Sequence, residues 1–407
     1  MTAPSENITP AMKQFHTFKA KHPDCILFFR MGDFYETFYE DARVCSKVLG
    51  LALTSRDKGK STPLAGVPYH AIDGYLKKML QAGYRVAVCE QVEDPRTAKG
   101  VVKRDIVRIV TPGTLTDDML LEAKKDNFLC AVSLGAKGRA AISWVDISTG
   151  HFFVQQLGEN KLLDELLRLS PAECLLPDRR GELFDAETRK LTKDVTQLTN
   201  AIITERPSWY FDPYQAKQRL LKHFGTATLE GFGVGDSDDC LIPPAGAIIE
   251  YLNETQKTTL GHIQNLRKID RRDFLQIDPT TLRSLEILRT IRTESKKGSL
   301  LDCLDETLTG MGGRMFANRL CMPLCALRPI EQRQDAIEEL RSAGTDLADI
   351  RKLLSNVSDT ERIAARISTF RATPRDLVAL AATLRQMPRL RETLQRFAAE
   401  LLRQLAG

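Results

Sequence analysis

The sequence predicts a multidomain protein in which α/β domains with mixed sheets precede an all-α region of long helices. Residues 25–31 form a short, almost wholly apolar run that is typical of a buried strand and is followed by helical periodicity. Residues 127–157 contain three segments of strand character separated by turns. Later residues show the pattern of amphipathic helices. We therefore predict three domains, at residues 1–124, 125–244 and 245–407.

The composition is that of a globular protein and sets few limits on its partners. The 407 residues are 43% hydrophobic and 27% charged, with a net charge of +5 and a pI of about 8.6. A small dedicated nucleic-acid-binding domain usually has a pI above ~9, so a polyanionic partner is permitted but not required. Nine scattered cysteines without a CxxC pair, and no secretory or membrane-spanning apolar run, predict a cytoplasmic protein with reduced thiols.

The first domain is predicted to alternate strands and helices. Apolar residues recur at helical spacing between residues 38 and 49, and Gly50 stands where a helix C-cap is expected. A second helix is expected to end at Gly83 and to be followed by a strand at 85–91. Residues 104–114 close the domain with a further strand and a Pro-Gly turn.

The rest of the chain is predicted to become increasingly helical. An amphipathic helix at 162–169 follows the three strands of 127–157. Asp278 as N-cap and Pro279 at the first helical position predict a helix that continues to Ile291. Helical periodicity then persists to the last residues, so we expect the chain to be a fragment that stops before a closing terminal domain.

Common enzyme signatures are incomplete in this sequence. The Gly-Lys-Ser of residues 59–61 has Thr54 where a phosphate-binding P-loop needs a glycine. The glycine-rich segment 310–314 lacks the strand and third glycine of a dinucleotide fingerprint, and we interpret it as a tight connection before a closely packed helix. The six histidines form no HxxxH pair, and there is no GxSxG elbow. We predict no catalytic, metal or cofactor-binding residue.

Asp146, within the strand meander, supports an alternative function. It could be one ligand in a metal-dependent nuclease of the RNase H type. Such sites need several carboxylates that converge on two metal ions, and a single sequence does not show convergence. We favour the interpretation that Asp146 is a strand-end aspartate that bonds its own turn.

The stretch MGDFYE at residues 31–36 allows two interpretations. In the first, Asp33 is a helix N-cap, Glu36 completes a capping box and Phe34 packs locally as part of a structural scaffold. In the second, the turn projects a planar aromatic and a carboxylate together. A phenylalanine can wedge into a base stack regardless of sequence, and a mismatched step resists the wedge less than a paired one. Glu36 could then hydrogen-bond an edge of the disturbed base.

The aromatic-x-Glu of GDFYE resembles the mismatch-recognition motif of MutS-type DNA mismatch repair proteins. Two stretches resemble the rest of that family's first domain, namely PLAGVPYHAIDGYLKKMLQAGYRVAVCEQVEDP and VKRDIVRIVTPGT. Two further stretches are similar to its connector domain, namely FLCAV and ISWVDISTGHF. The family's core helices are resembled by LDCLDETLTGMGGRMFANRLCMPL. The segment that leads to its lever is resembled by SDTERIAARIS and ATPRDLVAL. The resemblance covers essentially the whole chain in family order.

The resemblance implies roles in DNA recognition for six residues. Phe34 would be the intercalating wedge, and Glu36 would bond to the mismatched base. Met31 and Asp33 would flank them and shape the approach to the minor groove. Two basic side chains would hold the DNA backbone, namely those of Arg56 and Arg108.

The resemblance also implies an architecture and a set of partners. The domains would be a mixed-sheet α/β mismatch-recognition domain, an RNase H-like α/β connector domain and a helical core/lever domain. The partners would be double-stranded DNA with mismatches or small loops, a MutL-type repair protein at the connector and, in the full-length family, a second copy as a homodimer. ATP and Mg²⁺ would belong to the family's ATPase domain, which this sequence does not contain. We expect this chain to be non-enzymatic and to come from a bacterial, nucleoid-associated cytoplasmic protein.

Overall fold

The computed structural model describes residues 9–56, 62–93, 100–178, 185–257 and 259–407. The Gly-Lys-Ser segment at 59–61 lies outside the described residues. The chain forms two compact units. The first consists of Met1–Leu120 with Ile249–Thr259, and the second of Leu121–Ile248 with Leu260–Gly407. In the described ranges, no helix is long and apolar enough to cross a membrane.

The first unit is built on a six-stranded mixed sheet with the strand order β3-β4-β2-β1-β5-β6. Its elements are α1 (Pro10–Lys21), β1 (Ile26–Met31), β2 (Phe34–Phe38), α2 (Tyr39–Leu49), β3 (Thr54–Ser55), β4 (Pro63–Pro68), α3 (Ile72–Gln81), β5 (Val86–Gln91) and β6 (Arg104–Val110). Helix α1 packs against one face through Met12 and Phe15, which join a core with Phe29 and Phe38. The predicted strands at 25–31, 85–91 and 104–114 are confirmed.

The MGDFYE stretch is a β-hairpin, so the prediction of a capping box at Asp33 and Glu36 is wrong. Strand β2 pairs antiparallel with β1, with Met31 opposite Phe34. The two residues between them form the turn, and Gly32 has a φ of 58°, which favours glycine. Helix α2 begins only at Tyr39, after Phe38. Pairing of β2 with both β1 and β4 outweighs the local capping signal.

The second unit contains another six-stranded mixed sheet, with the order β11-β10-β7-β8-β9-β12. Its strands are β7 (Phe128–Leu134), β8 (Arg139–Asp146), β9 (His151–Gly158), β10 (Glu173–Asp178), β11 (Ile202–Pro207) and β12 (Leu266–Lys268). Strands β7, β8 and β9 are a consecutive antiparallel meander, as predicted for 127–157. The helices that accompany them are α4 (Leu162–Leu169), α5 (Asp185–Leu198) and α6 (Pro213–Phe224). Helix α7 (Ile242–Gln256) begins in this unit, and its residues from Ile249 onward belong to the first unit. The helix predicted at 162–169 is confirmed.

Helices dominate the remainder of the chain. They are α8 (Pro279–Ser284), α9 (Leu300–Leu304), α10 (Gly310–Cys321), α11 (Leu327–Ser342), α12 (Gly344–Leu354), α13 (Thr360–Ser368), α14 (Pro374–Leu394) and α15 (Glu400–Ala406). The glycine-rich segment 310–314 opens α10, and a Cβ at Gly313 would stand 2.5 Å from the Lys124 side chain, so the close packing predicted there is present. Together with the two sheets, these helices make the chain mixed α/β with an extended helical part.

The helix predicted to run from Asp278 to Ile291 is much shorter in the structure. The Asp278 cap is confirmed, because its carboxylate accepts a hydrogen bond from the Thr281 amide at 3.0 Å. The helix nevertheless ends at Ser284, and Glu286 has a positive φ of 47°. The Glu286 carbonyl accepts a hydrogen bond from the Leu300 amide instead of continuing the helix. Tertiary hydrogen bonding therefore overrides the leucine periodicity.

Candidate functional site

Phe34 and Glu36 share one face of the first sheet with the residues that α1 covers. Glu36 lies opposite Phe29, and Phe34 lies opposite Met31, so all four side chains project from the same side. Phe29 is fully buried, whereas the Phe34 side chain is 47% exposed. The core therefore ends before the hairpin, and it leaves an aromatic ring in solvent.

The neighbouring strand leaves space beside these two side chains. Gly66 in β4 lies opposite Glu36. A Cβ at this position would stand 3.8 Å from the Phe34 ring and 3.9 Å from Glu36 Cγ. Because glycine carries no side chain, nothing from β4 covers Phe34 and Glu36 at this point.

Glu36 is half-buried but not satisfied. Within the residues that the structure describes, its carboxylate accepts no hydrogen bond. Burial raises the pKa of Glu36, and the positive charges of Arg56 and Arg104 oppose this shift. A carboxylate with free lone pairs that feels the charge of two guanidinium groups is available to accept hydrogen bonds from a ligand.

Arg104 is a member of this site that the sequence analysis missed. Its Nε donates to the Arg30 carbonyl at 2.7 Å and its Nη1 to the Val102 carbonyl at 2.9 Å. Its Nη2 lies 3.4 Å from Met31 Sδ, and the guanidinium lies 5.0 Å from the Phe29 ring centroid. These contacts fix a buried positive charge on the Phe34 face of the sheet.

The two arginines that were predicted to hold the DNA backbone lie in different environments. Arg56 lies on the α1 side of the sheet, with Nη1 3.5 Å from Met12 Sδ and the guanidinium 5.6 Å from the Phe38 ring centroid. Arg108 instead pairs with Asp117 at 2.8 Å and with Asp73 of α3 at 3.8 Å. The structure thus brings Arg56, but not Arg108, toward Glu36.

The hairpin turn that presents Phe34 is fastened from its opposite side by Arg30. The Arg30 Nε donates to the Gly32 carbonyl at 2.5 Å, and its guanidinium lies 4.0 Å from the Tyr69 ring centroid. The Tyr69 amide donates to the carbonyl of Asp33 at 2.9 Å, while the Asp33 side chain is exposed. The hairpin turn before Phe34 is therefore held by specific contacts.

Asp146 bonds its own turn, as the favoured interpretation predicted. Its Oδ1 accepts from the Ser148 amide at 2.8 Å and from the Ser148 hydroxyl at 2.6 Å. Its Oδ2 accepts from the Asn127 amide at 2.9 Å. No cluster of three or more potential metal ligands occurs in the part of the chain that the structure describes.

Comparison with known proteins gives three consecutive domain matches to one family. The family model described as MutS domain I matches residues 9–119, MutS domain II matches residues 127–264 and MutS domain III matches residues 280–406. The site around Phe34 lies entirely within the first of these matches.

Curated relatives extend the likeness over nearly the whole chain. A DNA mismatch repair protein MutS from Rhodopirellula baltica is 42% identical over 408 residues, covering 95% of this chain and 45% of the relative. Proteins of the same name from Syntrophomonas wolfei and Methanosarcina acetivorans are also 42% identical, covering 98% and 99% of this chain and 46% of each relative. The chain spans about half the length of these relatives, and it belongs to the MutS family.

Proposed function

We propose that this chain recognises mispaired or looped bases in duplex DNA by inserting Phe34 as an aromatic wedge, and that this step initiates mismatch repair. The observation that carries the proposal is the exposure of Phe34 at the end of a strand whose next residue, Tyr35, is buried. A large apolar side chain that remains 47% exposed contributes little to the stability of the fold. It is suited to a partner with an apolar stack.

The wedge acts by a mechanism that does not depend on base sequence. Intercalation of an apolar side chain unstacks a base step at a cost of a few kcal/mol and kinks the duplex. A mismatched step has lost part of its pairing and stacking, so the same wedge meets less resistance there. The difference in the free energy of intercalation between a mismatched and a paired step determines the selectivity for mismatched DNA.

Glu36 and the arginines around it complete this proposal. The unused carboxylate lone pairs of Glu36 accept a hydrogen bond from the edge of the displaced base. Arg56 and Arg104 reduce the repulsion between that carboxylate and the DNA phosphates. Met31 and Asp33 flank the wedge on the approach to the minor groove.

The proposal extends to the other matched domains and to partners of the whole protein. The antiparallel β7–β9 meander, continued by the parallel strands β10 and β11, supports an RNase H-like connector that contacts a MutL-type repair protein. The helices from α8 onward supply the core and the lever. ATP and Mg²⁺, with the homodimer contact, are assigned to an ATPase domain of the family rather than to the three matched domains.

The decisive experiment measures Phe34→Ala for both stability and DNA binding. Thermal melting of the chain is compared with fluorescence anisotropy on a duplex with one G·T pair and on its fully paired counterpart, at low salt, where phosphate attraction is strong. We expect Phe34→Ala to lose the preference for the G·T duplex. Its melting temperature should fall by no more than about 2–4 °C, since an exposed ring contributes less than about 1 kcal/mol to the free energy of unfolding.

Phe38→Ala, at the other end of β2, is the matched control. The Phe38 side chain is only 1% exposed, so its removal should cost about 3–5 kcal/mol of unfolding free energy. If Phe34→Ala melts as early as Phe38→Ala, Phe34 is a core residue. If the G·T preference survives in a well-folded Phe34→Ala protein, or is absent from the wild type, the wedge proposal fails.

A further inference from the structure

A cleft in the second unit lies between the edge of its sheet and helices α10 and α11. The cavity measures about 450 Å³, within the ~300–1,000 Å³ range of small-molecule sites. One wall is aromatic, because Trp144 and Phe153 stack with ring centroids 5.3 Å apart. The strand register places Arg267 of β12 next to Phe153. The sheet edge thus combines flat apolar surface with a positive charge.

The opposite wall is a face of α10. Met311, Met315 and Arg319 line the cleft at a spacing of four residues, which places them on one side of the helix. The Met315 side chain remains 55% exposed although it faces this apolar wall. The helix face and the sheet edge therefore do not close on each other here, and flexible thioether side chains border the space between them.

The charges that line the cleft are unbalanced. Five arginines but only two carboxylates line the cleft. Both carboxylates are engaged by one of these arginines, since Arg314 Nη2 lies 2.7 Å from Glu361 and its Nε lies 3.8 Å from Asp126. Arg168 is paired with Glu165. The local acids therefore leave the positive charge of the remaining arginines uncompensated.

Three guanidinium groups remain without a carboxylate partner. Over the ranges that the structure describes, Arg267, Arg319 and Arg333 form no ion pair. Partial burial, and then the nearby charge of Arg333, lower the pKa of Arg319. Two like charges that face one shared space are stabilised when an anion enters it.

We propose that this cleft binds a small organic phosphate, with the phosphate on Arg319, Arg333 and Arg267 and the organic part against Phe153, which stacks on the buried Trp144. Planar guanidinium forks match phosphate oxygens bidentately, and the aromatic and thioether walls provide apolar contact for a flat ring. A nucleoside monophosphate has both parts and is the class of ligand that we assign. This site is independent of DNA recognition at Phe34.

Tryptophan fluorescence provides a direct test. The chain contains two tryptophans, so Trp209→Phe leaves Trp144 as the sole reporter inside the cleft. In this background the protein is titrated with deoxyadenosine monophosphate, with inorganic phosphate and with uncharged deoxyadenosine. We expect the monophosphate to change Trp144 emission and to bind at least tenfold more tightly than either of its separate parts.

Arginine variants decide whether the cleft is responsible. Arg319→Gln and Arg333→Gln should each weaken monophosphate binding at least tenfold, whereas Arg341→Gln, an exposed position on the same helix as Arg333, should leave it unchanged. Thermal melting verifies that each variant is folded, and isothermal titration calorimetry replaces fluorescence if the emission of a variant is altered. Absence of binding at millimolar monophosphate, equal binding of inorganic phosphate, or equal loss in Arg341→Gln would overturn the assignment.

Discussion

Two acidic residues borne by strands, Glu36 in the first sheet and Asp146 in the second, differ in how far the fold satisfies them. Asp146 is fully buried and accepts three hydrogen bonds from groups in its own unit. Glu36 is half-buried, feels the positive charges of Arg56 and Arg104, and accepts none among the described residues. A buried acceptor that is fully used stabilises the fold, whereas one left unused costs stability and remains available to a ligand.

Hydrogen bonding and exposure distinguish a structural acid from a candidate binding acid more clearly than residue type does. Both positions are acids borne by strands, Glu36 at the middle of β2 and Asp146 at the end of β8, and each was singled out as a candidate for chemistry. Only the count of hydrogen bonds and the exposure of the neighbouring side chain distinguish them. Phe34 beside Glu36 is exposed, while Val145 beside Asp146 is fully buried.

The largest expected effect is on stability at Asp146. Asp146→Ala removes the acceptor of three hydrogen bonds, from the buried Ser148 amide and hydroxyl and from the half-buried Asn127 amide, which should cost about 3 kcal/mol of unfolding free energy. Glu36→Ala removes no hydrogen bond and should cost less than about 1 kcal/mol. Urea denaturation measures the difference, followed through backbone circular dichroism for both variants and, in the Trp209→Phe background, through the fluorescence of Trp144 for Asp146→Ala.

Equal destabilisation of Asp146→Ala and Glu36→Ala would contradict this difference between the two acids. That result would mean that Glu36 has a structural partner, and the recognition role of its carboxylate would lose its basis. A small effect at Asp146 would in turn show that its turn holds without the carboxylate.

A smaller effect is expected at Arg30, which fastens the hairpin turn. Arg30→Met removes the hydrogen bond to the Gly32 carbonyl and the contact with the Tyr69 ring, and should destabilise the turn by about 1–2 kcal/mol. Hydrogen exchange of the Tyr69 amide, which donates to the carbonyl of Asp33, reports this loosening directly. Discrimination of the G·T duplex should fall with it, because Phe34, the proposed wedge, is then less well positioned.

Arg43→Met is the control for this change. Arg43 pairs with Glu40 on the exposed surface of α2, three residues apart in the chain. Its loss should leave Tyr69 exchange and DNA discrimination unaltered. Unchanged Tyr69 exchange in Arg30→Met would show that the turn is held by its backbone alone.

The elements with strong periodicity could be predicted from the sequence, and the hairpin could not because two local signals competed there. Asp33 and Glu36 have the spacing of a capping box, and this favoured a helix. Gly32 and Asp33 between two runs of strand character are also a two-residue hairpin signal. Pairing with β4, distant in sequence, decided between the two, and no local pattern contains that information.

The two arginines of β6, Arg104 and Arg108, have different surroundings because of a feature that the sequence does not show. Alternation along a strand places Arg104 and Arg108 on the same face. The pairing of β5 and β6 shifts register between Val88 and Cys89, so the strand is irregular between these arginines. Arg104 therefore reaches the Phe34 face, while Arg108 reaches Asp73 and Asp117.

The salt dependence of DNA binding distinguishes Arg56 from Arg108. If Arg56 contacts a phosphate, Arg56→Ala should reduce the slope of log affinity against log salt by about 0.9. Arg108→Ala should reduce it less, because that charge is already paired with Asp117. Anisotropy titrations at several salt concentrations measure both slopes, and a larger change for Arg108→Ala would reverse the assignment of the DNA-facing side.

The smallest expected effect is the pH dependence of stability that Glu36 contributes. Burial raises the pKa of Glu36 above its usual value of 4.5 in the folded protein, so the folded state holds this proton at a pH where the unfolded chain has released it. The free energy of unfolding should therefore fall as pH rises from the usual pKa through the raised one. Glu36→Gln cannot titrate and should gain stability relative to the wild type between about pH 4 and about pH 7. Urea midpoints at these two pH values give the difference; a loss for Glu36→Gln over this interval would mean that Arg56 and Arg104 dominate over burial and that the Glu36 carboxylate is satisfied in the fold after all.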